Sequence, residues 1–271
     1  MNRTPPWLVA LRIVCAVALV ALAIVPAIWL AMIAVQPADA DLRSVGGGFT
    51  LNNFRGAWAE GGLASATLNS VLVTFSRAGL NVLLAALAAY PLARMSFRGR
   101  DICFVLILAT TMIPEQVIVV PLFRIVAGMG MFDTLAALVV PFGVSAFGIF
   151  LCRQAFLQVP WELEEAARID GAGPLRTWWN VMLPLSAPTL ATLALFSIIA
   201  AWSDLLWPLV VLNSPEKYTL PLAINELLGQ FATNPRYAYA GSVLALVPIV
   251  VFFLAMERWL KPSLFAGAVK G

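Results

Sequence analysis

Residues 164–185 read EEAARIDGAGPLRTWWNVMLPL. Glu164, Glu165, Arg168, Asp170 and Arg176 crowd into this stretch of a chain that is 61% hydrophobic and only 11% charged. Pro160 closes the preceding apolar run, and Glu162, Glu164 and Glu165 then fill one helical turn, where acids suit the positive end of a helix dipole. Gly171 and Gly173 stop that helix, and Pro174 is well placed to begin another. The second helix is expected to be amphipathic, laying Trp178, Trp179, Val181, Met182 and Leu183 against a bilayer interface. Pro184 and Pro188 redirect the chain. Two readings of the segment stand: a docking element, whose small residues Ala166 and Ala167 let another surface approach closely, or a solvated loop.

The composition around this island sets its context. Soluble domains carry roughly 25% charged residues; this chain of 271 residues carries 11%, with a mean hydropathy of +0.90. A globule needs a polar skin that this sequence cannot supply, so its solvent is lipid. A net charge of +3 gives no footprint for nucleic acid. Histidine is absent, which removes the usual zinc motifs and His-based triads. The lysines are Lys217, Lys261 and Lys270, and none follows a glycine-rich loop and precedes Ser or Thr, so the chain has no Walker A loop and is not a P-loop ATPase by itself. Cys15, Cys103 and Cys152 lie in apolar runs without ligand spacing and read as small buried hydrophobes.

A membrane span needs roughly 20 apolar residues. Six are expected, at about 11–35, 68–93, 102–124, 134–156, 189–212 and 239–260. The first run is too long for a signal-peptide core and is read as retained. Six spans put both termini on one side. Eleven of the 17 Lys and Arg fall on that side, five on the other, and Arg77 lies inside a span. The positive-inside rule then makes the termini and the 157–188 loop cytoplasmic. Residues 36–67 and 213–238, rich in turn formers, are expected as outer surface loops.

Three ionisable residues fall within the expected spans: Arg77, Glu115 and Asp204. At 1.5 Å per residue, each lies about 12–13 Å below the outer end of its span. Such groups are costly in lipid and face a partner or a wet cavity. Equal depth admits an ion pair between Arg77 and either acid, a polar lining for a solute, or snorkelling. Trp202 and Trp207 read either as sugar-stacking residues or as packing and interface anchors.

Glu165-Ala166-Ala167, then Gly171, then Val181, Leu183 and Pro184 resemble the EAA motif of importer-type ABC transporter permeases. TLNSVLVT at 67–74, LAAYPLARMSFRGR at 87–100, MIPEQVIVVPLF at 112–123, AWSDLLWPL at 201–209 and AGAVKG at 266–271 resemble its carbohydrate-uptake branch, and within it the chain resembles the second, smaller permease of maltose-type systems. The resemblance implies an all-α integral membrane fold, of type I importer architecture in the bacterial inner membrane, with a coupling helix between spans four and five. It implies a second permease, two ATP-binding subunits that hold ATP and Mg, and an extracytoplasmic solute-binding protein, with no cofactor and no catalytic or metal site in this chain. By the same resemblance Glu165, Ala166, Ala167, Asp170, Gly171, Leu183 and Pro184 belong to the ATPase-coupling site. Arg77, Glu115, Trp202, Asp204 and Trp207 are the candidates for the path or an intramembrane network; Glu115 follows Met-Ile-Pro, where the family commonly has small or polar residues, and Asp204 sits in WSDLLWP, which resembles the family's fifth-span signature. The pattern often has Asn before that acid, where this chain has Ser203. The expected function is import of a sugar or sugar-like solute, with a glycerol-phosphate derivative as the alternative solute. A different mechanism, an ion-coupled secondary transporter using Arg77, Glu115 and Asp204, would leave the cytoplasmic island without a purpose, and no inverted repeat supports it.

Overall fold

A computed structural model describes residues 6–37, 40, 48–59, 61–230 and 235–266. They are helical, with no strand among them. The helices are α1 (Pro6–Ala34), α2 (Asn52–Ala59), α3 (Leu63–Arg94), α4 (Arg100–Ala109), α5 (Glu115–Gly128), α6 (Ala136–Val139), α7 (Ala146–Gln158), α8 (Trp161–Ile169), α9 (Pro174–Leu185), α10 (Ala187–Trp202), α11 (Leu206–Val211), α12 (Leu220–Gln230) and α13 (Arg236–Ala266). The C-terminal stretch 267–271, which completes the AGAVKG pattern, lies outside the described residues.

The chain forms two compact units. One comprises residues 1–64 and 223–247. Its α1 is apolar all round and buries none of its most hydrophobic stretch within the chain, the signature of a helix whose surroundings are lipid or another subunit. The Asn53 amide donates to the carbonyls of Ala34 (2.9 Å) and Gln36 (2.7 Å), satisfying acceptors at the end of α1.

The other unit comprises 65–222 and 248–271. Ala85, Ala86, Ala89 and Ala93 form a small-residue stripe on α3, and Cys152, Phe156, Trp178, Met182 and Leu193 close over it. Without a hydrophobic drive between helices in lipid, close packing of small residues holds such bundles together. A second cluster gathers Val73, Val126, Leu138, Trp207, Val211 and Leu222.

Three of the expected straight spans are bent. Around 102–124 the helix turns by 103° between Arg100–Met112 and Glu115–Gly128. Pro114 is the cause: the residue before a proline is driven out of the α region, and Ile113 is accordingly extended at φ −87°, ψ 116°. The 134–156 run bends by 47° between Ala136–Phe142 and Ala146–Gln158, where Ser145 starts α7 by accepting a hydrogen bond from the Gly148 amide at 3.0 Å. The expected 189–212 span ends at Trp202 and restarts at Leu206. Asp204 makes that break, because its Oδ1 accepts from the Trp207 amide at 3.3 Å. A further bend of 80° separates α9 from α10. Two helices run longer than expected, α3 over 63–94 and α13 over 236–266.

Candidate functional site

The 157–188 loop folds as the helix–turn–helix its punctuation dictates. Gly171 closes the turn at φ +77°, a left-handed conformation that costs an L side chain roughly 1–2 kcal/mol. Nothing lies within 4 Å of where its Cβ would be, so backbone conformation rather than crowding requires the glycine. Glu165, Ala166, Asp170 and Gly171 are exposed and Ala167 is half-buried, which gathers them on the outer surface of α8 and its turn. Ile169, beside them, is 86% exposed.

Two residues of the expected coupling set stand apart from that surface. Leu183 is half-buried and packs against the core cluster on α3, and Pro184 is exposed at the far end of α9. The expected interfacial face of α9 is also corrected. Trp178 and Met182 are buried in the protein core, with Trp178 Nε1 donating to the Ala86 carbonyl at 3.2 Å, and only Trp179 presents its ring outward. The small alanines of α3 leave room for the larger side chains of α9 to pack inward instead of lying in a bilayer interface.

By sequence Glu164 is one of three acids at the start of α8. It is 1% exposed. Its carboxylate accepts from Tyr90 Oη at 3.2 Å and from Arg168 Nη2 at 3.2 Å, and lies 3.7 Å from Arg94 Nε. Arg94, at the C-terminal end of α3, also donates to the Phe156 carbonyl at 2.6 Å and to the Val159 carbonyl. It thereby places a cation over the last carbonyls of α7, where the helix dipole favours one. Arg153 on α7 donates in turn to the Leu92 carbonyl at 3.1 Å and covers the Phe104 ring at 4.1 Å. The exposed surface of α8 therefore stands on a buried ionic joint to α3 and α7. The only sequence signal for it was the i,i+4 spacing of Glu164 and Arg168.

The intramembrane charges resolve into a pair and a single acid. Arg77 Nη1 lies 2.9 Å from Asp204 Oδ2, and its guanidinium sits 3.9 Å from the centroid of the Phe142 ring. Glu115, the first residue of α5 after the Pro114 bend, is exposed, and among the described residues it has no ion pair or side-chain hydrogen bond. Arg77 and Glu115 line a cavity of about 600 Å³ together with Asn81, Thr111, Ser145 and Ser197. The Asn81 amide donates to Ser197 Oγ at 2.8 Å while its carbonyl oxygen accepts from the Ser145 amide at 2.9 Å, tying α3 to α7 and α10. Neither Asn81 nor the two serines stood out in the sequence, because single polar residues in apolar runs are common.

The tryptophans pack. Trp207 is buried, its Nε1 donating to the Ala137 carbonyl at 2.9 Å and its ring meeting Phe142 edge-on at 6.0 Å. It borders a small side cavity, which it shares with Glu115 and Asp204. Trp202 is buried and does not line the main cavity. Neither ring is laid open for stacking.

Away from the expected spans, Asp133 holds a left-handed backbone at φ 55° and gathers the 213–217 loop. Its carboxylate accepts from the Ser214 hydroxyl, the amides of Asn213 (2.9 Å) and Ser214 (3.0 Å), and Lys217 Nζ (2.9 Å). These donors, the Ser214 hydroxyl foremost, hold its carboxyl well below the usual carboxylate range.

Residues 81–266 match the family described as binding-protein-dependent transport system inner membrane component. The arabinooligosaccharide transport permease AraQ of Halalkalibacterium halodurans is 37% identical over 223 residues, covering 82% of this chain and 80% of that protein. The trehalose transport permease SugB of Mycobacterium tuberculosis is 36% identical over 226 residues, covering 82% of each. The sn-glycerol-3-phosphate transport permease UgpE of Brucella abortus is 33% identical over 198 residues, covering 72% of this chain and 70% of that protein. Among solved structures, a chain of a bacterial ABC transporter that imports the acidic polysaccharide alginate superposes with a TM-score of 0.80 at 22% identity, over 95% of this chain and 99% of that one. At that identity the likeness is one of fold.

Proposed function

The chain belongs to the binding-protein-dependent transport system inner membrane components, the permeases of ABC importers, and from that premise we propose that it forms half of the path for a sugar or sugar-like solute in a bacterial inner membrane. A second permease supplies the other half. Two cytoplasmic ATPases bind ATP and Mg and drive the cycle, and an extracytoplasmic binding protein delivers the solute. Both termini and the 157–188 loop face the cytoplasm in this reading, as the Lys and Arg distribution implies.

The observation that carries the proposal is the division of labour within α8. Its outer surface, with Glu165, Ala166, Asp170 and Gly171, is exposed and small enough for close docking. Its inner side is fixed by Glu164 to Arg94 and Tyr90 of α3. An ATPase that grips the outer surface and closes on nucleotide moves α8, and the buried joint passes that displacement to α3 and α7. Nucleotide thereby biases a two-state assembly between inward-open and outward-open forms. Arg77, Glu115 and the Asn81–Ser145–Ser197 network line the path, and the tryptophans hold its walls in place.

Purification of the tagged chain from its native host, followed by mass spectrometry of what accompanies it, tests the reading. Recovery of a Walker A-containing ATPase and a second six-span permease is expected. Recovery of the chain alone, competent for uptake in vesicles without ATP, would overturn it. The relatives' names divide between sugars and glycerol phosphate, which leaves the charge of the solute to the cavity itself.

A further inference from the structure

The wall of the main cavity is unbalanced in charge. Among the described residues Arg77 is the one cation on it, and that guanidinium is already engaged by Asp204 at 2.9 Å and by the Phe142 face, with a side chain only 12% exposed. Glu115, exposed and without a partner among the described residues, adds an acid that nothing offsets.

Two of the hydroxyls have no hydrogen left to give. Thr110 and Thr111 spend their hydrogens on the carbonyls of Ile107 and Leu108, each at 2.7 Å, and so turn lone pairs toward the cavity. Ser145 Oγ and Ser197 Oγ accept from the Gly148 amide and the Asn81 side chain and keep their own hydrogens to donate. A carboxylate is acceptor-only. The surface a solute meets therefore offers both donors and acceptors, and its acid without a partner among the described residues is Glu115. A phosphate or carboxylate brings a charge of the same sign as Glu115, which repels it. Sugar hydroxyls bring donors.

We propose that Glu115 sets the solute class of this half of the path: a polyhydroxylated solute without phosphate or carboxylate groups, its hydroxyls donating to Glu115. The inference rests on reading the cavity as the translocation path. It separates this chain from the glycerol-phosphate alternative, and it takes nothing from the acidic solute of its structural neighbour.

The test uses the whole transporter, purified with its partner subunits and reconstituted in vesicles, with Cys15, Cys103 and Cys152 replaced by Ala. A single cysteine is placed on the cavity wall by Thr111→Cys, with Thr110→Cys as a second position should the first fail to assemble. Cationic and anionic methanethiosulfonate reagents of similar size are compared, each rate normalised to a free thiol. The cationic reagent is expected to react faster by about tenfold, and Glu115→Gln is expected to bring the ratio back toward one. A ratio near one, or one that Glu115→Gln leaves unchanged, would overturn the assignment while keeping the cavity as a path. Failure of both reagents at both cysteines would show a dry cavity and remove the path reading itself. Import of a phosphorylated sugar by the unmodified complex would refute the solute class directly.

Discussion

Tyr90 donates its phenolic hydrogen to Glu164 at 3.2 Å, so a side chain of α3 is bonded to the inward-facing acid of α8. The same carboxylate lies beside Arg94, and the two side chains are 1% and 7% exposed. Removing one member of a buried pair strands the other charge, at a cost of about 3–5 kcal/mol. Glu164→Ala is therefore expected to lower the thermal stability of the solubilised chain sharply. Arg168→Ala, which removes a side chain that is 56% exposed, should cost no more than about 1 kcal/mol. Comparable losses in the two variants, measured by thermal unfolding in detergent, would show that the pair with Arg94 is not the joint.

The milder variant Tyr90→Phe keeps the ring and its packing against Phe156 but deletes the hydroxyl. A loss of about 1–3 kcal/mol is expected, because a bond to a charged, buried acceptor disappears. If the joint transmits movement, the ratio of ATP hydrolysed to solute imported should rise in this variant. An unchanged ratio alongside a lowered melting temperature would assign Tyr90 to stability alone.

Gly171→Asp is expected to weaken ATPase attachment or uncouple hydrolysis from uptake. Space is available for a side chain there, so the chain should still fold. The left-handed turn and a new charge on the docking surface carry the effect. Gly171→Ala imposes the strain without the charge, and co-purification of the ATPase in the two variants separates the causes. Normal assembly and normal uptake in Gly171→Asp would remove this turn from the coupling surface.

Arg77 and Asp204 should behave as a unit. Arg77→Gln and Asp204→Asn each leave a charge in a low-dielectric setting, while the double variant leaves none. A double-mutant cycle on stability is expected to return a coupling of about 0.5–3 kcal/mol. Additive effects would mean that the 2.9 Å contact contributes nothing net.

The pH dependence of stability should expose Asp133. Its carboxyl is held below its unfolded-state value, so it contributes stability above the ordinary carboxylate pKa of about 3.9. That contribution fades as pH falls through the folded value. Asp133→Asn should therefore melt lower than the parent at neutral pH, by a margin constant down to about pH 5 and narrowing below about pH 4. A margin that stays constant through acid would place the effect in the loop's packing instead.

The helical membrane fold was legible because apolar runs, prolines and the 164–185 punctuation all speak locally. Gly171 closes its turn where the sequence puts it. The bends were written there too, at Pro114, at Gly143–Ser145 and at Asp204, but a hydropathy window averages across such breaks. Glu164 and Arg94 were harder for another reason. Which of the acids at 162, 164 and 165 points inward depends on the rotation of α8 against α3, and that is set by packing over 70 residues away in sequence. Trp178 shows the same limit: its aromatic character fits an interface or a core, and only the alanine stripe of α3 decides between them.

The 103° turn at Pro114 also bears on how this protein is made. A straight helix over residues 100–128 would reach about 43 Å at 1.5 Å per residue. That exceeds the roughly 30 Å hydrocarbon thickness. Folded past a right angle, neither arm crosses it alone. Uncovered backbone at such a corner is tolerated only against protein or water, and neither is at hand while the segment is newly inserted among acyl chains. The corner therefore needs its neighbours in place to be held, and the final bend of α4 on α5 is expected to form late in biogenesis.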